Sequence, residues 1–145
     1  MTELADKEVT AIKDRVRAVI KGHAQVLVEV SHEIHARPEL NFEETFASAL
    51  LARTSSQLGL DAELGAYGAD TGVVAETGSG PTVCVMSEYD ALPGIGHGCG
   101  HNVIAAAGLG AAIGLAAVAR ECGGRLRFLG TPAEEGGGGK IVMAR

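Results

Sequence analysis

Tryptophan is absent from the 145 residues, and with two Tyr and three Phe the aromatics make up 3% of the chain. A core so poor in rings has to be built from Ala, Val, Leu and Ile. Cysteine is scarce as well. Cys84, Cys99 and Cys122 form an odd set without the C-x-x-C pairing of a zinc knuckle or a dithiol redox site. A disulfide scaffold is thereby excluded, and a reducing, cytoplasmic setting is expected. Positive charge is in deficit, with 12 Lys and Arg against 18 Asp and Glu and a net charge of −6. Nucleic acid is not an expected partner, because binding to it is driven by neutralising phosphates. Residues 1–14 are polar and charged and lack the apolar run of a secretory signal. Residues 103–119 are uncharged and approach membrane-spanning length, but they are largely Ala and Gly. Small side chains offer lipid little apolar area, so a buried helix and no membrane partner is the expectation.

Glycine is abundant, 21 of 145 residues, about twice its usual share of roughly 7%. Hydrophobic residues at 46% and charged residues at 21% suit a folded chain, and the length suits one domain. Apolar residues recur at Val9, Ile12, Val16, Val19 and Ile20, then at Leu27, Val30 and Ile34. These steps of three and four predict an amphipathic helix over residues 4–35, with Gly22 as its weak point and Pro38 as its stop. A second helix is predicted over 43–58, closed by Gly59. Strands are predicted at 61–66, 72–76 and 81–87. The last, a continuous β-prone run, is expected to be buried on both faces, and Gly78-Ser79-Gly80 to turn a hairpin between the last two. Asn102 is placed to cap a helix over 103–120, and a strand follows at 125–130. Strand, glycine loop, helix and strand form a βαβ unit whose strands should run parallel. The class is α/β, a mixed, largely parallel sheet flanked by helices. A further helix begins at Lys140.

In such sheets ligands gather beyond the carboxyl ends of parallel strands. Two loops leave the sheet there, residues 87–102 and 130–136, and they hold His97, His101, Cys99, Glu88, Asp90, Glu134 and Glu135. Cys99 and His101 are two apart, so in an extended loop they project to one side and can converge on one ion. Gly98 and Gly100 remove side chains that would crowd it. The adjacent side chains of Glu134 and Glu135 diverge, which suits one as a metal ligand and the other as the base that takes a proton from an activated water. An activated Cys99 thiol beside the two histidines is the competing reading. Cys84 and Cys122 read as inert packing residues, and His23, His32 and His35 as structural. Phosphate loops are excluded: Glu134 stands six before Lys140, where a P-loop needs Gly, and Ile141 follows where Ser or Thr is needed. No G-x-S-x-G elbow occurs.

Three ordered segments resemble the aminoacylase and carboxypeptidase-G family of metal-dependent amidohydrolases and peptidases. They are His35-Ala-Arg-Pro-Glu-Leu-Asn-Phe-Glu-Glu44, Glu88-Tyr-Asp-Ala-Leu-Pro93 with Gly96-His-Gly-Cys-Gly-His-Asn102, and Thr131-Pro-Ala-Glu-Glu-Gly136. The branch they are most similar to holds amino-acid-conjugate hydrolases, aminobenzoyl-glutamate hydrolases and dipeptidases. The resemblance implies a zinc-peptidase-type catalytic domain and two divalent ions, Zn or Mn. It implies Cys99, His101 and Glu135 as metal ligands, Glu134 as the general base, Asp90 as the carboxylate that orients a ligand or the metal pair, and His97 as a supporting residue behind the ligands. The substrate implied is a small molecule with an amide bond: an N-acyl amino acid, a dipeptide or an aminobenzoyl-glutamate-like compound. The family also has a lid domain, through which full-length members form homodimers, and two further histidine ligands downstream. No His follows His101 here. The expectation is therefore that residues 1–145 form the N-terminal portion of the catalytic domain, truncated before the lid, with an incomplete ligand set. The alternative expectation is a non-catalytic remnant.

Overall fold

The computed structural model describes residues 3–145. Chain order is α1 (Glu3–Gly22), α2 (Ala24–Ala36), α3 (Thr45–Gln57), β1 (Ala62–Leu64), a 3-10 turn (Ala66–Gly68), β2 (Val73–Gly78), β3 (Thr82–Glu88), α4 (His101–Ala119), β4 (Arg125–Thr131) and α5 (Gly139–Met143). The long N-terminal helix breaks where Gly22 weakens it, and His23 joins the two halves outside helical geometry.

The four strands form one mixed sheet in the order β1-β2-β4-β3. β3 and β4 run parallel around α4, as the βαβ reading requires. Among the described residues that is the parallel pairing, while β1–β2 and β2–β4 are antiparallel. The expected hairpin between β2 and β3 does not form, because β4 lies between them. Gly78-Ser79-Gly80 instead crosses over the turn that feeds β4. A Cβ on Gly78 would stand 2.2 Å from the Gly124 carbonyl oxygen, and one on Gly80 would stand 2.4 Å from that of Gly123. The glycines there serve close approach of two backbones. A second departure follows from the same order. β3 is an edge strand with Val83 and Met86 exposed, not a strand buried on both faces.

α4 lies between α1 and α2 on one side and the sheet on the other, which accounts for its Ala and Gly composition. A Cβ on Gly108 would fall 1.7 Å from the Ser87 hydroxyl on β3, and one on Gly114 would fall 3.0 Å from Val16 on α1. The helix is long and apolar enough to cross a membrane, yet most of it is buried within this fold. Its Ala105, Leu109, Ala112 and Ile113 join Val30, Ile34, Leu50, Leu51, Leu126 and Phe128 in one core.

Candidate metal centre

Parallel pairing of β3 with β4 puts their carboxyl ends at one edge, where Glu88 is in register with Thr131. From that edge one chain runs on through Tyr89 and Asp90 and the other through Pro132 and Ala133 to Glu134 and Glu135. The amino end of α4 meets them there. Gly100, in the left-handed region at φ 79°, opens the helix and makes His101 its first residue. Asn102 is not the cap that its residue type suggested. It lies inside the first turn, and its side-chain amide donates to the Ser31 hydroxyl and carbonyl, tying α4 to α2.

Asp90 organises the site. It is 1% exposed. One of its oxygens accepts from Nδ1 of His101 at 2.9 Å, and the other accepts the backbone N–H of Glu135 at 2.9 Å. The Asp90 carbonyl also faces Nδ1 at 2.9 Å. Only acceptors surround Nδ1, so in the neutral ring it carries the hydrogen and Nε2 keeps its lone pair. That lone pair faces Oε2 of Glu134 at 3.7 Å and Oε1 of Glu135 at 3.6 Å. The three donor atoms lie within 4.8 Å of one another. Lone pairs from an imidazole and two carboxylates, with no proton between them and spacings too long for hydrogen bonds, are what a divalent cation reconciles. The residues present fit a metal.

Cys99 is exposed and outside that three-atom group. Its thiol is hydrogen-bonded to Glu135; that bond, some burial and the negative charge of Glu135, Glu134 and Asp90 push its pKa up. A cation at the site would reverse this field and favour the thiolate. His97 is half-buried. Its Nε2–H donates to the Ile34 carbonyl at 3.1 Å, and its ring lies 6.2 Å from that of His35. Burial lowers its pKa. Its direct tie is to the end of α2 and not to His101. Cys84 and Cys122, expected to be packed away, are both exposed, because Cys84 lies on the edge strand and Cys122 in the turn after α4.

Two acidic side chains have roles that residue type did not disclose. Glu39 accepts the N–H groups of Phe46 and Ala47 at 2.9 Å and so caps α3. Glu44 stands at the cap position of that helix but makes no cap bond. Fully buried, it accepts the Ala133 N–H and the Thr71 hydroxyl, both at 2.9 Å. Burial outweighs these bonds and raises its pKa. The only sequence signal for either residue was membership of the first of the three motif segments.

Residues 66–145 match the model of peptidase family M20/M25/M40. The chain is 37% identical to the Xaa-Arg dipeptidase of Mus musculus over 94% of its own length and 35% of that protein's. It is 32% identical to a p-aminobenzoyl-glutamate hydrolase polypeptide of Escherichia coli, over 87% of this chain and 30% of that protein. Among solved structures, it superposes on a dinuclear metal-binding M20 peptidase from Bacillus subtilis with a TM-score of 0.71 and 28% identity, over 79% of this chain and 36% of that one. The chain thus spans about a third of the length of the relatives it matches.

Proposed function

The chain belongs to peptidase family M20/M25/M40, and from that premise we propose that it supplies part of the active site of a metal-dependent amidohydrolase. The bond cleaved is an amide of an N-acyl amino acid, a dipeptide or an aminobenzoyl-glutamate-like compound, the chemistry named for the similar mouse and bacterial enzymes. In this proposal His101 and Glu135 hold a divalent ion, Zn or Mn, and Cys99 joins them on a pair of ions. When bound, such ions lower the pKa of water and polarise a carbonyl. Glu134, whose side chain is 45% exposed against 20% for Glu135, stands nearer solvent and takes the water's proton, then returns it to the leaving amine. Asp90 keeps Nε2 of His101 unprotonated and aimed inward. A reducing, cytoplasmic setting belongs to the same proposal, since Cys99 must remain a free thiol.

The observation that carries this reading is the lone pair of His101 Nε2 directed at both carboxylates while Asp90 holds the opposite ring nitrogen. The test is hydrolysis of N-acyl amino acids and dipeptides with added Mn²⁺ or Zn²⁺. Turnover lost in Glu134→Gln with metal content retained supports it. A second reading is favoured by the open edge of β3 and by the lack of any His after His101. On that reading these residues hold metal weakly and need a complementing segment for turnover. Metal binding without hydrolysis would select it, and no metal binding at all would defeat both.

A further inference from the structure

We infer that residues 38–44 clamp both loops of the metal centre, with Glu44 as a positioning residue; the inference rests on the metal-centre reading above. The segment touches each loop one residue from its functional carboxylate. The Glu39 carbonyl accepts the N–H of Ala91 at 2.8 Å, next to Asp90. The Glu44 carboxylate accepts the N–H of Ala133 at 2.9 Å, next to Glu134. Between these anchors, Phe42 covers the far side of the second loop: a Cβ on Gly137 would lie 2.5 Å from its ring.

Ala133 is where support is needed. Its φ of +55° is in the left-handed region that side chains rarely adopt. Its carbonyl accepts the N–H groups of Gly137 at 3.2 Å and Gly139 at 3.3 Å. This turn reverses the chain after β4 and directs Glu134 and Glu135 back toward His101. Such a conformation persists when its surroundings over-determine it, and the Glu44 carboxylate is the side chain that does so from outside the loop. Glu44 is not occupied in capping its own helix, since Glu39 does that. Its other oxygen takes the Thr71 hydroxyl, and the Thr71 carbonyl takes the hydroxyl of Tyr89, the neighbour of Asp90. A buried carboxylate is costly unless its bonds are made, and here the bonds lead to both loops.

The experiment is hydrogen exchange on the metal-free chain, followed by Co²⁺ titration of the same samples. Glu44→Ala should speed exchange of the amides at 133–137 by about tenfold or more while leaving those of β4 at 126–129 protected. Glu44→Gln, whose amide oxygen can still accept the Ala133 N–H, should restore protection to within about threefold. Thr71→Val, which removes only the other partner, should behave likewise. Co²⁺ affinity should fall about 10- to 100-fold in Glu44→Ala and stay near the parent value in Glu44→Gln. Should Glu44→Ala not fold, Glu44→Asp retracts the carboxylate by one methylene and should loosen the same amides. Unchanged exchange at 133–137, or equal loosening of β4, overturns the inference. A parent chain that binds no Co²⁺ while Glu44→Ala still loosens 133–137 overturns the metal reading instead.

Discussion

Both oxygens of Asp90 accept hydrogen bonds, one from an imidazole and one from the backbone of the opposite loop, so a single buried side chain sets the tautomer of His101 and the position of Glu135. Asp90→Asn keeps one acceptor and turns an NH₂ toward one of two N–H donors. Leaving a buried donor unpaired costs about 1–3 kcal/mol, so urea unfolding should show a loss of that size. Calorimetric metal titration should show affinity about 10- to 100-fold weaker. Glu44 gives a pH signature of opposite sense to a salt-bridged acid. Its raised pKa means that the folded state holds this proton to higher pH than the unfolded chain. The stability it contributes is complete below the ordinary Glu value of about 4.3 and is lost as pH rises through the higher folded value. Thermal melts should therefore show Glu44→Gln gaining on the parent as pH is raised from about 4 to 7; a gain by the parent would contradict the assignment. At this scale the sequence disclosed Cys99, His101, Glu134 and Glu135 by spacing and residue type. It did not disclose Glu44, because an acid before a helix reads as a cap and a side-chain bond to a backbone N–H 89 residues away leaves no local mark.

At the scale of elements, α4 is held by what it lacks. Gly108 lets it meet β3 so closely that a Cβ would stand 1.7 Å from Ser87 Oγ and 3.1 Å from Ser87 Cβ. Ser87 is itself fully buried. Gly108→Ala should destabilise the fold by about 1–3 kcal/mol through overpacking, read as a shift in urea midpoint. Adding Ser87→Ala removes the nearest atom and should recover part of the loss, a coupling expected of residues in contact; strict additivity of the two would refute the contact. The helices and strands themselves were legible in hydrophobic spacing, and the parallel β3–β4 pair in the length of its crossover. Strand neighbours were harder to read. Gly78-Ser79-Gly80 has the composition of a hairpin turn, and nothing local distinguishes a turn joining neighbours from a link that passes over a third strand. Which strand enters between β2 and β3 is decided about 40 residues later by α4, whose length returns the chain to the middle of the sheet.

At the scale of the whole molecule, the same strand order leaves β3 with one paired edge among the described residues. Its Val83 and Met86 are 57% and 50% exposed. Beside it, Ile12, Val16, Val83, Leu115 and Val118 line a groove of about 530 Å³. Isolated exposed apolar side chains are ordinary, but here they adjoin a row of unpaired backbone groups, which is a template for another strand. Natural edges carry Lys or Pro to prevent that pairing, and β3 reads Thr-Val-Cys-Val-Met-Ser-Glu with neither. The 145-residue chain should therefore self-associate with rising concentration, visible by sedimentation velocity between about 10 and 100 µM. Val83→Lys places a charge on the edge strand at a position already facing solvent, so it should reduce association while leaving the circular dichroism spectrum and the melting temperature near those of the parent. Association unaffected by Val83→Lys would move the contact to another surface, and a monomer throughout that range would show that the edge is protected by means other than its sequence.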